Sequence, residues 1–99
     1  MNYRDLEAVR QIVNNATGLE ITYAYDDLVF PDNGVFIIQF DDSSTDNLYC
    51  YFQEECNPVD RENIFASLSN EASQKKATLE LKGGYTLEQQ GENIQINFS

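Results

Sequence analysis

Val35-Phe36-Ile37-Ile38-Gln39-Phe40, Asp41-Asp42-Ser43-Ser44-Thr45-Asp46-Asn47 and Leu48-Tyr49-Cys50-Tyr51-Phe52 follow one another without a break, and their reading decides the fold. The outer segments are β-branched and aromatic, the side chains that fit a pleated, half-buried surface. The middle segment is Asp, Ser, Thr and Asn, whose short polar groups bond nearby backbone and favour turns. Two strands joined by an acidic hairpin loop are therefore expected.

Before this hairpin, residues 28–34 form an apolar knob running into a turn at Asp32-Asn33-Gly34. Leu19, Ile21, Tyr23 and Tyr25 alternate with Glu20, Thr22 and Ala24, which is strand periodicity ending at Asp26-Asp27. Leu6, Val9, Ile12 and Val13 recur at helical spacing. Asn2 is the expected N-cap, Asp5 lies in the first turn and Gly18 is a natural stop, so a helix is expected over about residues 3–16. After the hairpin, Asn57-Pro58 with Asp60 starts a second helix that runs to about Gln74. Its apolar stripe is Ile64, Phe65, Leu68 and Ala72. Ala77, Leu79 and Leu81 then alternate with polar residues, Gly83-Gly84 breaks that strand, and Tyr85 and Leu87 resume the alternation. A turn at Gln90-Gly91-Glu92-Asn93 leads to Ile94, Ile96 and Phe98.

The expected fold is α+β in the order α-β-β-β-α-β-β-β. It has an antiparallel sheet of five to six strands, with two helices packed on one face and a wet opposite face. Ninety-nine residues make a single domain, and 41% hydrophobic content fills a modest core.

The net charge is −11, and it is unevenly distributed. No Lys or Arg occurs between Arg10 and Arg61, whereas Lys75, Lys76 and Lys82 cluster in the last third. The basic-free stretch holds Glu20, Asp26, Asp27, Asp32, Asp41, Asp42, Asp46, Glu54 and Glu55, with Asp60 at its end. A one-sign field destabilises the compact state by self-repulsion, so a segment that tolerates it is a candidate binding surface. Those nine acids are the candidate partner-binding residues. The plain alternative is a surface that only keeps the chain in solution.

This charge excludes direct nucleic-acid binding, which needs a basic patch. It suits the reverse role. Alternate residues on one face of a strand lie about 6.5–7 Å apart, close to the spacing of phosphates on an extended strand. Carboxylates at strand ends and in loops would then imitate a phosphate row in the groove of a basic nucleic-acid-binding protein, and complementary fields speed that association.

Catalytic signatures are missing. The chain has no histidine, the cysteines Cys50 and Cys56 have no histidine partner, and no Gly-rich phosphate loop precedes a helix. The expectation is a non-enzyme without cofactor. Asp42, Ser44 and Asp46 alternate as calcium ligands do, but the sixth and twelfth positions of that pattern are Asn47 and Gln53, so no metal site is expected. The cysteines read as reduced thiols, one semi-buried in a strand. Met1 to Arg10 holds no apolar run suited to a signal peptide, and no stretch approaches the roughly 18–20 apolar residues of a membrane span. A cytoplasmic monomer or homodimer, in the producer or in an infected bacterial host, is expected, with no membrane partner.

Several motifs occur together in order: a helix ending at Thr17-Gly18, Tyr25-Asp26-Asp27 running into Leu28-Val29-Phe30-Pro31-Asp32, the acidic turn Phe40 to Asn47, and Gly91-Glu92-Asn93 before a last short strand. This set resembles the phage uracil-DNA glycosylase inhibitor family of small acidic DNA mimics. The resemblance implies that Asp26 and Asp27, with Asp32 nearby, act as phosphate mimics, and that an apolar pocket receives a loop of the blocked enzyme. The family carries a second helix just after the proline, where this chain enters a strand, and a short connection where this chain has residues 58–74. The overall character is also similar to small acidic anti-CRISPR proteins, which block Cas effectors at a DNA-binding cleft. Two other binding classes share the charge pattern: acidic immunity proteins that cap nuclease toxins, and secretion chaperones.

Overall fold

A computed structural model of the chain describes residues 2–32 and 35–99. Asn33-Gly34, the expected end of a turn, lies outside the described residues.

Helix α1 spans Leu6–Thr17. Its N-cap is Asp5, whose Oδ1 accepts from the Ala8 N–H at 3.1 Å, so the helix starts later than an Asn2 cap implies. Gly18 closes it in the left-handed region, φ 76°, with its N–H on the Asn14 carbonyl at 2.8 Å. Val9, Ile12 and Val13 are buried along one stripe. Helix α2 spans Pro58–Gln74, opened by Asn57, whose Oδ1 accepts from the Val59 N–H at 2.8 Å, and by Pro58 in the first turn. Leu68 and Ala72 are buried, and Ile64 and Phe65 pack half-buried beside them.

Among the described residues six strands form one sheet in chain order: β1 Ile21–Tyr25, β2 Leu28–Pro31, β3 Phe36–Phe40, β4 Asn47–Gln53, β5 Thr78–Gln90 and β6 Asn93–Phe98. The expected hairpin is present, with Phe36 opposite Phe52 and Phe40 opposite Leu48. The sheet is mixed rather than wholly antiparallel, because β4 and β5 pair in parallel. The cause is α2, a crossover that carries the chain back to the end of the sheet where β4 began. The expected knob at Leu28 is a fourth strand before α2. Val29 faces the helices and is buried, and Pro31, which has no N–H to donate, sits at the strand's end.

Gly83-Gly84 does not break the next strand; β5 runs through it for 13 residues. Cys50 pairs with Leu81 but Tyr51 pairs with Gly83, so Lys82 is an extra residue in a bulge. A Cβ on Gly83 would collide with the Ser99 carbonyl oxygen, so the close approach of the chain after β6 requires glycine there. The bulge also reverses the alternation. Leu79 belongs to the helix-covered core, whereas Tyr85 packs with Ile37 and Tyr51 on the opposite face. Leu87 pairs with Ile96, and Phe98 pairs with Tyr85. The apolar residues of β6, expected under the helices, therefore face away from them.

One face of the sheet buries Val29, Phe36, Ile38, Phe40, Leu48, Cys50, Phe52 and Leu79 beneath α1 and α2. The other carries a smaller cluster of Ile37, Tyr51 and Tyr85, with Leu28, Phe30, Tyr49 and Ile96 partly covered around it. Leu68 is 0% exposed and Leu87 51% exposed, so truncating them should have very different costs. Leu68→Ala is expected to destabilise by about 2–5 kcal/mol. Leu87→Ser should cost under about 1 kcal/mol. Urea unfolding midpoints of the two variants check this; equal losses would mean that the open face belongs to the core.

Candidate protein-binding site

The nine candidate acids separate into two groups at opposite ends of the sheet. The Phe40 N–H donates to the Asp27 carbonyl at 2.8 Å, which joins the β1–β2 turn to the end of β3. The Thr78 N–H donates to the Asp46 carbonyl at 2.8 Å. Asp26, Asp27, Asp41, Asp42 and Asp46 thus share one end. At the other end the Asp32 N–H donates to the Glu20 carbonyl at 2.8 Å, and Glu54 and Glu55 follow the last residue of β4.

Within the first group the carboxylates have different tasks. Asp41 accepts from the Ser43 N–H at 2.9 Å, the Ser43 hydroxyl at 2.6 Å, Asn47 Nδ2 at 3.1 Å and the Tyr49 hydroxyl at 3.0 Å. These donors, the Ser43 hydroxyl foremost, hold its carboxyl well below the usual carboxylate range, and the same carboxylate raises the Tyr49 phenol. Asp41 is the internal brace of the β3–β4 turn. Asp42, Ser44 and Asp46, which alternate along the loop, are used locally too: Ser44 Oγ accepts from the Asp46 N–H at 3.3 Å, and Asp42 is bonded to an arginine.

That arginine is Arg4. Its Nε and Nη2 grip Asp42 at 3.0 and 2.7 Å, and its Nη1 reaches Asp26 at 2.9 Å. The guanidinium lowers the Asp42 carboxyl from its ordinary value, and the two carboxylates raise Arg4 in return. Arg4 and Asp26 both adopt left-handed backbone, φ 45° and 54°, which L side chains rarely take. Sequence reading missed this clamp because its partners lie 22 and 38 positions from Arg4. Asp27 joins a separate chain: the Tyr51 hydroxyl donates to Gln39 Oε1 at 2.9 Å, and Gln39 Nε2 donates to Asp27 Oδ2 at 2.9 Å.

Beside these acids lies the open face. Tyr23 and Tyr25 stack with ring centroids 6.4 Å apart and lead along β1 directly to Asp26. A hollow of about 370 Å³ is lined by Tyr23 and Phe30 from one edge of the sheet and by Leu87, Ile94 and Ile96 from the other. Strands β1 and β6 are the two ends of a six-strand order, so the sheet curls until they share a hollow. Tyr23, Tyr25, Leu87, Ile94 and Phe98 are all exposed, an apolar patch of the kind that marks interaction surfaces. A signal for this face was present in the sequence. Five of the six tyrosines (23, 25, 49, 51 and 85) line it, and tyrosine suits a surface that is apolar below and wet above.

Cys50 is buried under the helices and burial pushes its thiol up to about 12; Cys56 is half-buried before α2, and both are free thiols. Among the described residues, no group of three or more His, Cys, Asp or Glu is placed to hold a metal ion, and no helix is long and apolar enough to cross a membrane. The chain matches none of the protein-family models, curated proteins or solved structures with which it was compared.

The turn brace has a pH signature. The folded Asp41 carboxyl lies below its unfolded value, so its contribution to stability is present above about pH 4 and is lost as pH falls through the depressed folded value. Asp41→Asn should be less stable than wild type at neutral pH, with the difference shrinking steadily below about pH 4. Urea unfolding across an acid pH series tests this; a pH-independent difference would remove Asp41 from that role.

Proposed function

We propose that this chain is a non-catalytic inhibitor that binds a basic nucleic-acid-binding protein and occludes its nucleic-acid groove. The observation that carries the reading is the meeting of two turns, distant in sequence, that bring Asp26, Asp27, Asp41, Asp42 and Asp46 to one end of the sheet beside an exposed aromatic strand. Acidic groups at one end attract a cationic groove and accelerate encounter. Tyr23 and Tyr25, next along β1, supply the apolar contact area on which binding energy concentrates.

The roles divide more finely than the charge pattern alone implies. Asp27, at the tip of the β1–β2 turn with its carboxylate also accepting from Gln39, is the leading phosphate mimic. Asp26 and Asp42 act together with Arg4, and Asp41 supports the turn that presents them. The resemblance to the uracil-DNA glycosylase inhibitor family, which includes Tyr25-Asp26-Asp27, supports the same end of the molecule as the docking point. Glu20, Asp32, Glu54 and Glu55 lie at the far end and take a secondary, long-range role in this reading.

Capture from a lysate of the source organism, with wild type and with an Asp26→Asn/Asp27→Asn variant, is the direct test. Wild type should retain a basic nucleic-acid-binding protein that duplex DNA and moderate salt release, and the variant should retain about tenfold less. Retention unaffected by both DNA and the substitutions would overturn the proposal. Arg4→Gln supplies a second arm. It raises the net negative charge by one and frees Asp26 and Asp42, so it should strengthen binding at low salt if those carboxylates face the partner.

A further inference from the structure

From the β6 edge we infer that the partner contributes an extended, basic segment that adds to β6 as a seventh strand and places apolar side chains in the hollow between β6 and β1. The inference deepens the proposed function and rests on it for the partner's charge; the site itself is read from the edge.

Strand β6 is the last strand of the sheet, and among the described residues its outer side meets no other strand. The Ser99 N–H donates to the Gly84 carbonyl at 2.9 Å. Along an antiparallel pair, hydrogen-bonded and non-hydrogen-bonded positions alternate. Counting back from Ser99 opposite Gly84, Asn97, Gln95 and Asn93 bond to β5, while the main-chain groups of Phe98, Ile96 and Ile94 point outward. Those three residues also present their side chains to the open face. The outward donors and acceptors therefore stand beside the apolar wall of the hollow.

Natural edges are usually blunted by lysine, proline or a bulge. Asn93–Phe98 has none of these and no charged residue, and its pairing with β5 is regular throughout. The opposite edge, β1, differs: its pairing with β2 shifts register between Ile21 and Tyr23, and Asp26 ends it in left-handed backbone. Strand addition is thus favoured at β6. The hollow already offers Tyr23 and Phe30 across from Ile94 and Ile96, which is where alternate side chains of an added strand would point.

A second copy would fit the geometry, but two chains of net charge −11 repel, whereas a segment carrying Lys and Arg is attracted. The occupant assigned is therefore a basic strand with alternate apolar residues.

The probes are three synthetic heptapeptides. One is Arg-Val-Lys-Ile-Arg-Val-Lys; the second has the same sequence N-methylated at two adjacent central residues, which blocks both of its edges; the third carries Ser and Thr in place of the basic residues. The expected result is that the first peptide slows amide hydrogen exchange at Ile94, Ile96 and Phe98 of the intact chain. The methylated peptide should bind about tenfold more weakly, as should the first peptide to a Leu87→Ser/Ile94→Ser variant. Equal binding of the methylated peptide, with spectral changes confined to Asp26, Asp27 and Asp42, would overturn strand addition and leave the basic-partner reading intact. Equal binding of the uncharged peptide at β6 would support strand addition and count against the basic partner. Protection of the same amides without peptide, accompanied by a dimer in sedimentation, would overturn the inference in favour of a second copy.

Discussion

Main-chain pairing along β4, antiparallel to β3 on one side and parallel to β5 on the other, forces residues 47–53 alternately onto two faces. Leu48, Cys50 and Phe52 go beneath the helices. Tyr49, Tyr51 and Gln53 go to the open side. Every other strand inherits its two faces from this one through register, and the helices have only one apolar face to cover. On the β5 side the alternation is interrupted by the extra residue at Lys82. It turns the far half of β5 over, and β6 with it, so their leucine, isoleucines and phenylalanine are spent on the open face. Without that bulge the concave apolar wall would be part of an ordinary two-layer core.

The same pairing explains how the acidic end is built. A turn leaves a sheet wherever two antiparallel strands meet, and the β1–β2 and β3–β4 turns leave from the same end because β2 and β3 lie between them. Carboxylates in those turns repel one another, and the molecule offsets this locally. Four donors converge on Asp41, and Arg4 is drawn in from before α1 to bridge Asp26 and Asp42. Two of the three residues of this bridge, Arg4 and Asp26, hold left-handed backbone. Part of the charge that dominates the composition is thus committed internally, and the remainder faces outward.

Much of the architecture was legible because it is written in local periodicity. The spacing of Leu6, Val9, Ile12 and Val13, the Asn57-Pro58 start of α2 and the β-branched and aromatic runs at 35–40 and 48–52 each specify their element within a few residues. What escaped depends on partners elsewhere. Pairing direction between β4 and β5 is a property of the crossover, although a strand on each side of a helix is a known sign of parallel neighbours. Gly83-Gly84 reads as a break in one dimension, and only the nearby Ser99 carbonyl and the register with Tyr51 show it to be a bulge. The face taken by Leu87, Ile94 and Ile96 follows from that bulge and from nothing nearer. For the candidate site, the location of the acids in strand-end turns was legible, but their division into two ends and the reach of Arg4 were not.

The crossover has a kinetic meaning as well. Strands β1 to β4 meet across short turns and can pair as soon as they exist. The parallel contact between Asn47 and Thr78 must close a loop of about thirty residues before it returns any enthalpy, a cost that grows with the logarithm of length. Synthesis from the N-terminus therefore completes the first four strands and the acidic end while α2 and β5 are still emerging. During that interval β4 is itself an unprotected edge, with Tyr49 and Tyr51 uncovered on one side and Leu48 and Phe52 on the other. A chain so rich in like charge is well suited to that exposure, since the repulsion that burdens the finished fold also keeps its half-made copies apart.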